Sequence, residues 1–442
     1  MTAAVAAEAP SPGRVSSGFT QAAILIIVGI VATTLAQPLV LSSLPIRNML
    51  KNELHVSRSD LSAFVFLSGL PWYAKPLAGV ITDAFPLFGQ RRRSYLVASS
   101  LLAAAGWAGI YYTPHQYGRL LWMAILVNCF MVFASTVIGG YLVETAQASG
   151  SSGRLTSVRE ATQRVCIIIT GPASGYLATV NFAWTAAASG MVVFLLVPAT
   201  ILLLHEPRAR VESRQVLGVV GRQLKNVGGS KALWAAAALS MLVYIAPGFS
   251  TAVFYKQQNE FHMLPNAGPG LPGFFGGQGF LGVIAGLSGL AAAGLYAWAC
   301  RRFDLRALLA ACIGLSALLT VGYLHYASAT DARIMAGVDS FGVILAELSL
   351  MDLAVRATPR GSEGLGYALM ISVRNVSIFG TDFLGSLMLD KWRLSFQALV
   401  VANAVTTAVA VPLVLLLPRA LVRRKDADLY ESAPEPDTQV QD

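Results

Sequence analysis

Charge is what this sequence has least of. Only 12% of its 442 residues are Asp, Glu, Lys or Arg, about half the share in a soluble domain. A fully solvated globular surface is thereby excluded. Cysteine is also scarce: Cys129, Cys166, Cys300 and Cys312 sit in separate apolar stretches, without the close pairing of metal or redox motifs. They read as small packing residues. The five histidines are scattered at the ends of apolar runs or between them. No nucleophile motif, phosphate loop or metal-ligand cluster is present, which argues against an enzyme and against a resident cofactor.

In place of charge there is hydrophobic length, 55% of the chain. A hydrocarbon core about 30 Å thick takes roughly 20 apolar residues per helix, and the spacing of charged and Pro/Gly breaks predicts membrane helices over residues 20–45, 58–82, 94–112, 118–146, 155–181 and 184–204. A second set is expected over 232–256, 274–299, 306–327, 333–356, 361–389 and 395–418. The first run has no small-residue cleavage site and is too long for a secretory signal, so it is expected to stay as a membrane helix. The domain reading is a disordered cytoplasmic tail (1–19), a six-helix bundle (20–204), a basic cytoplasmic linker (205–231), a second six-helix bundle (232–418) and a cytoplasmic tail (419–442). Within the linker, Val216, Leu217, Val220 and Leu224 recur at helical spacing opposite Arg214, Arg222 and Lys225. That pattern fits a short surface helix or a solvated linker. The Gly/Pro-rich stretch "QQNEFHMLPNAGPGLPGFFGG" is the longest loop on the other side.

Most Lys and Arg fall on one side of this map, among them Arg154, Arg302, Arg306, Arg356 and Arg423, while Arg47, Lys51, Arg58, Arg119 and Arg333 fall on the other. The bias predicts that both termini are cytoplasmic, in a multi-pass protein of the plasma (inner) membrane. It also accounts for the net charge of +9 without a nucleic-acid partner. The expected partners are anionic lipid at the cytoplasmic face and a small molecule, with the protein a monomer.

The densest charge lies in "LPWYAKPLAGVITDAFPLFGQRRRSYL", Leu70 to Leu96. Gly79, Asp83, Gly89, Arg91 and Arg92 resemble the major facilitator signature between helices 2 and 3, with a longer turn. Together with Pro71, Trp72, Lys75, Pro76, Phe85, Pro86, Arg93 and Tyr95 they are similar to the folate-biopterin transporter family. A second stretch, "ATPRGSEGLGYALMISVRNVS", resembles the opening of helix 11 in that family and carries its Asn at position 375. The resemblance implies an all-α membrane protein of twelve helices in two pseudo-symmetric bundles, the major facilitator fold, acting as a secondary transporter by alternating access. It departs from the family on helix 4. Where relatives carry two aspartates, "FASTVIGGYLVETAQ" has Ser135, Thr136, Gly139 and Gly140, leaving Glu144 as the acidic residue.

Charges inside membrane helices are costly and mark candidate sites. Lys75 can line a cavity or snorkel to the surface. Arg164 and Arg374 lie deep in corresponding helices of the two halves and suit a carboxylate substrate; the alternative is an internal ion pair with Glu160 or Glu347. Asn375 and the aromatics Trp72 and Tyr141 complete the candidate substrate set, although aromatics more often pack. Glu347 is the candidate proton-coupling carboxylate, with Asp382 a second. Asp352 reads as the local partner of Arg356. Asp83, Arg91, Arg92, Arg93, Glu144 and Glu363 form a candidate cytoplasmic gate, or serve topology alone. The expected function is proton-coupled transport of a small organic anion, pterin- or folate-like. A drug/proton antiporter, to which the fragment Gly171-Pro172-x-x-Gly175 points, and a non-transporting membrane assembly factor are the alternatives.

Overall fold

A computed structural model describes residues 12–90, 92–149, 152–206, 213–265, 277–300, 302–359, 363–418 and 422. Among these residues, regular structure is helical apart from one isolated bridge between Leu87 and Gln90. Seven helices are each long and apolar enough to cross a membrane. The other runs are broken or carry charge, and most breaks sit at prolines.

Helix α1 spans Pro12–Leu35 and so begins inside the segment expected to be tail; Pro suits a first helical position, where no N–H partner is required. The run expected to end at residue 45 stops ten residues sooner, before Gln37 and Pro38. It resumes as α2, Ser43–Asn48, with a π-turn over Met49–Glu53. The Ala36 carbonyl freed by the break accepts from the buried Trp107 indole at 2.9 Å. The second run divides into α3 (Arg58–Ser68), α4 (Leu70–Tyr73) and α5 (Lys75–Ala84). Pro71 and Pro76 remove two intrahelical donors, and each break lies just before one of them.

Continuous helices follow: α6 (Arg93–Tyr112), α7 (Tyr117–Ser149) and α8 (Ser152–Leu177). The sixth run is α9 (Phe182–Phe194) and α10 (Leu196–Leu203). In the linker, α11 covers Ser213–Gly229, a helix over the stretch where the apolar residues recur at helical spacing. It turns by 68° into α12, Lys231–Tyr244.

The seventh run breaks around Pro247 and resumes as α13, Ser250–Asn259. Gly248 is held there by main-chain contact: its N–H donates to the Thr381 carbonyl at 3.0 Å. A Cβ on Gly385 would lie 1.8 Å from the Gly248 oxygen. The remaining helices are α14 (Gln278–Ala299), α15 (Leu305–Thr320, with a 3-10 turn over Val321–His325), α16 (Ala329–Ala357), α17 (Glu363–Asp390) and α18 (Phe396–Leu413). Residues 1–11, 266–276 and most of the expected C-terminal tail lie outside the described residues.

Packing separates two halves. In the first, α3, α6, α7 and α9 enclose a core that includes Phe64, Trp107, Val127, Met131 and Val193. In the second, α12, α15, α16, α17 and α18 enclose Leu233, Leu309, Leu350 and Met370. Two seams join the halves: α8 on α14, and α3 to α5 on α17. At the first seam the backbones nearly touch. A Cβ on Gly171 would sit 2.3 Å from the Gly279 carbonyl oxygen, so helix packing accounts for the glycines of the Gly171–Gly175 fragment. We call the end bearing α11 the linker end and the opposite one the distal end.

Candidate functional site

Two groups of charged and polar side chains lie inside this assembly, one in each half. In the first half, the break before Pro76 places Lys75 at the start of α5. Its Nζ donates to Ser135 Oγ on α7 at 3.1 Å and stands 5.5 Å from the centre of the Trp72 ring. The Trp72 indole donates to Asn128 Oδ1 at 2.9 Å, and Asn128 Nδ2 donates to the Ser68 carbonyl at 2.7 Å. That carbonyl lost its ordinary partner because the Trp72 N–H turns to Gly69 instead. Asn128 therefore closes the hydrogen-bonding of the break and fixes the ring beneath Lys75. The charge of Arg159 on α8 also acts on Lys75. Arg164, half-buried and engaged with other groups, shares a helix face with Ile168, Gly171 and Gly175, the residues that meet α14.

The second half answers its cation differently. Arg374 Nη2 lies 2.6 Å from Glu347 Oε1, with both side chains about three-quarters buried. Its Nη1 donates to Asn375 Oδ1 at 3.1 Å. The guanidinium lies 6.0 Å from the centre of the Tyr244 ring. Arg374 Nε is buried without a partner. Of the two readings open for Arg374 in the sequence, this conformation shows the internal ion pair, with Glu347 as partner; the Glu160 side chain lies outside the described ones. Asp352 pairs with Arg356 at 2.8 Å, as the i,i+4 spacing predicts, and also accepts from the Tyr296 hydroxyl at 3.0 Å.

Asp382 occupies a structural position. Its carboxylate accepts from the Thr251 N–H at 3.0 Å and the Thr251 hydroxyl at 2.6 Å, satisfying donors at the opening of α13. Tyr141 packs against the α1–α7 core and has further contacts. At the linker end, the Arg92 and Arg93 N–H groups donate to Glu206 Oε2 at 3.0 and 2.9 Å. Arg92 Nη1 reaches the Val137 carbonyl and Arg93 Nη2 that of Ile201. These contacts tie the turn to α7 and α10 of its own half. Arg91 and the side chains of Asp83, Glu144 and Glu363 lie outside the described residues.

Among the described residues, the hydrogen bonds that cross between halves gather at the distal end. Asp390, at the end of α17, accepts from Arg58 Nε at 2.9 Å and from the Ser59 N–H at 2.8 Å. Lys51 Nζ donates to Gln258 Oε1 at 2.8 Å, and the Tyr255 hydroxyl to the Val56 carbonyl at 2.7 Å. Sequence reading missed this end, although its few cations, Lys51 and Arg58, were a signal. Among the described residues, a crevice of about 290 Å³ beside the α8–α14 seam is lined by Leu39, Leu44, Ile167, Thr170 and Gln278 and holds none of the charged groups.

Two helical halves joined along two seams, with helices broken beside charged side chains, have the architecture of the major facilitator fold. The solved structures agree. The chain superposes on a D-xylose-proton symporter with a TM-score of 0.66 at 12% identity, covering 92% of this chain and 98% of that one. It superposes on a peptide transporter crystallised with sulfate with a TM-score of 0.68 at 10% identity, covering 92% and 96%.

The chain belongs to the BT1 family, whose model matches residues 35–434. It is 27% identical to a folate-biopterin transporter of Synechocystis sp. over 89% of this chain and 82% of that protein. It is 23% identical to probable folate-biopterin transporter 2 of Arabidopsis thaliana over 77% and 70%. The protein is thus an integral, multi-pass membrane transporter of a small molecule, and not an enzyme.

Proposed function

We propose that this transporter carries a small organic anion, of the pterin or folate type, between the Lys75 group and the Arg374 group, driven by a proton gradient. The carrying observation is the asymmetry of the two cations. Lys75 is met by a hydroxyl and a ring, both neutral, so its charge is available to an anion. Arg374 is held by Glu347; protonation of Glu347 frees the guanidinium for a substrate carboxylate through paired hydrogen bonds. Trp72 and Tyr244 offer flat faces beside the two cations, which suits a fused-ring substrate. The names of the relatives, folate-biopterin transporters, support the same class. The distal hydrogen bonds belong to the state closed on that side; alternating access requires that they break when the other end closes.

The test is uptake by proteoliposomes across a panel of folates, pterins and small carboxylates with an imposed pH gradient. Uptake of at least one anion should follow the gradient. Lys75→Gln and Arg374→Gln should each lower it roughly tenfold to a hundredfold, the worth of a charge-assisted hydrogen bond. Transport of cationic or neutral lipophilic compounds that survives Arg374→Gln would instead identify a drug antiporter. A stoichiometric co-purifying protein with no flux would identify an assembly factor.

A further inference from the structure

Beyond its first turn, which holds Asp331, helix α16 carries three more carboxylates, and the site above uses one. Glu347 is paired with Arg374 and Asp352 with Arg356. The third, Asp339, lies about three turns into the helix from Ala329 and is half-buried. Its polar partner is a phenol: the Tyr323 hydroxyl donates to Asp339 Oδ2 at 3.5 Å, at the long limit of a hydrogen bond.

Among the described residues, the helices packed against α16 offer Asp339 no cation. Helix α14 contains no charged residue; near this level it supplies Ser288, whose hydroxyl is committed to the Gly337 carbonyl at 2.6 Å. The one charged side chain of α15, Arg306, is at the linker end, against the Leu417 carbonyl. In α12, Lys231 is at that same end and Tyr244 lies under Arg374. On α17, Arg374 is engaged by Glu347, about two turns away along α16, and Asp382 is engaged by Thr251. Arg333, on α16 itself, is about 120° around the helix and lines an outer groove with Ile284, Leu319 and Phe341. His325 and Asp331 belong to the distal turn, where Asp331 accepts from Ser328. An ionised carboxylate without a cation is costly inside a membrane and takes up a proton instead.

Beside Tyr323, a hydrogen-bonded strand of polar groups runs from Tyr326 toward the distal end. The Tyr323 ring packs 5.1 Å from that of Tyr326, and the Tyr326 hydroxyl accepts from Gln257 Nε2 at 2.8 Å. Gln257 accepts from Gln278 at 3.1 Å, and Gln278 from Gln258 at 3.2 Å. Gln258 is the residue that Lys51 of the other half holds. Breaking the distal closure therefore disturbs a strand that ends on Tyr326, whose ring packs against Tyr323, the partner of Asp339.

We propose that Asp339 is a second proton site, occupied while the distal end is closed and exchanging its proton with water at the distal mouth when that end opens. This rests on the transport reading for its role in coupling, but the site itself can be tested without transport. Infrared spectra of the full chain at neutral pH should contain a protonated-carboxyl stretch that disappears in Asp339→Asn and persists in Asp352→Asn. Tyr323→Phe should move the band without removing it, because the phenol touches the carboxyl. A band unchanged in a folded Asp339→Asn protein overturns the proposal.

Coupling is read with radiolabelled folate in proteoliposomes. The gradient contributes about tenfold accumulation per pH unit for each coupled proton. Asp339→Asn should lose that factor while still exchanging folate at equal pH on both sides, and undiminished accumulation overturns the coupling role. If the wild-type chain moves no substrate, the transport reading fails, and the spectra still decide whether Asp339 holds a proton.

Discussion

Lys75 and Arg374 are both buried cations in helices of a membrane transporter, yet the protein surrounds them by opposite strategies. Around Lys75 the partners are neutral: Ser135, the Trp72 face and, behind it, Asn128. Around Arg374 they include a carboxylate at 2.6 Å. The first arrangement leaves net positive charge in the protein until an anion arrives. The second stores the charge in a pair that something must open. For the proposed anion, one cation of each kind would allow firm holding in one state and release in another, because only one contact depends on the state of Glu347.

The sharpest way to break the contrast is Glu347→Ala. Removing one partner of a buried pair leaves the other uncompensated, at a cost of about 3 kcal/mol or more. The unfolding midpoint in detergent should fall clearly, and Glu347→Ala combined with Arg374→Met should recover much of the loss. If the double variant is no more stable than Glu347→Ala alone, the pair is not the source of the cost.

How much of this was legible in the sequence follows from where the partners lie. Asp352 and Arg356 share a helix at i,i+4, so spacing alone paired them. The helix breaks were not legible: the runs 20–45, 58–82 and 232–256 were expected to be continuous, although Pro38, Pro71, Pro76 and Pro247 each remove a donor. The two-half architecture followed from the apolar runs and from the resemblance of Leu70 to Leu96. Partners on different helices were harder, because periodicity gives a helix its faces but not its rotation against a neighbour. Glu347 was picked out as an acid and Arg374 as a cation, but their pairing stood only as one alternative.

Neutral residues were harder still. Nothing in the local sequence separates Asn128 from any other polar residue in an apolar helix. Ser135 stands where the resemblance leads one to expect an acid; its contact with Lys75 gives that departure a physical consequence. Asp382 attracted attention as a charge, and the structure explains it as a helix cap whose recipient, Thr251, is more than a hundred residues away in sequence.

Asn128→Ala tests the neutral side of the comparison at its support. The Ser68 carbonyl and the Trp72 indole would both lose their partner, and one buried polar group left unsatisfied costs about 1–3 kcal/mol. The expected result is a lower unfolding midpoint together with a changed tryptophan emission, since the ring over which Lys75 stands would no longer be fixed. Unchanged emission would show that the Trp72 ring is held by packing alone.

Lys75→Met should have the smallest effect on the empty protein and the most telling one on the loaded protein. Methionine fills nearly the same volume and removes a charge that has no carboxylate partner among its contacts, so stability should stay within about 1 kcal/mol of the starting value or rise. A bound anion stabilises the folded state by an amount set by its concentration relative to its dissociation constant. Folate that raises the melting temperature of the wild-type chain should therefore lose most of that effect in Lys75→Met. A large loss of stability without folate would mean that the ammonium holds α5 to α7, and that its charge is spent on the fold rather than kept for the anion.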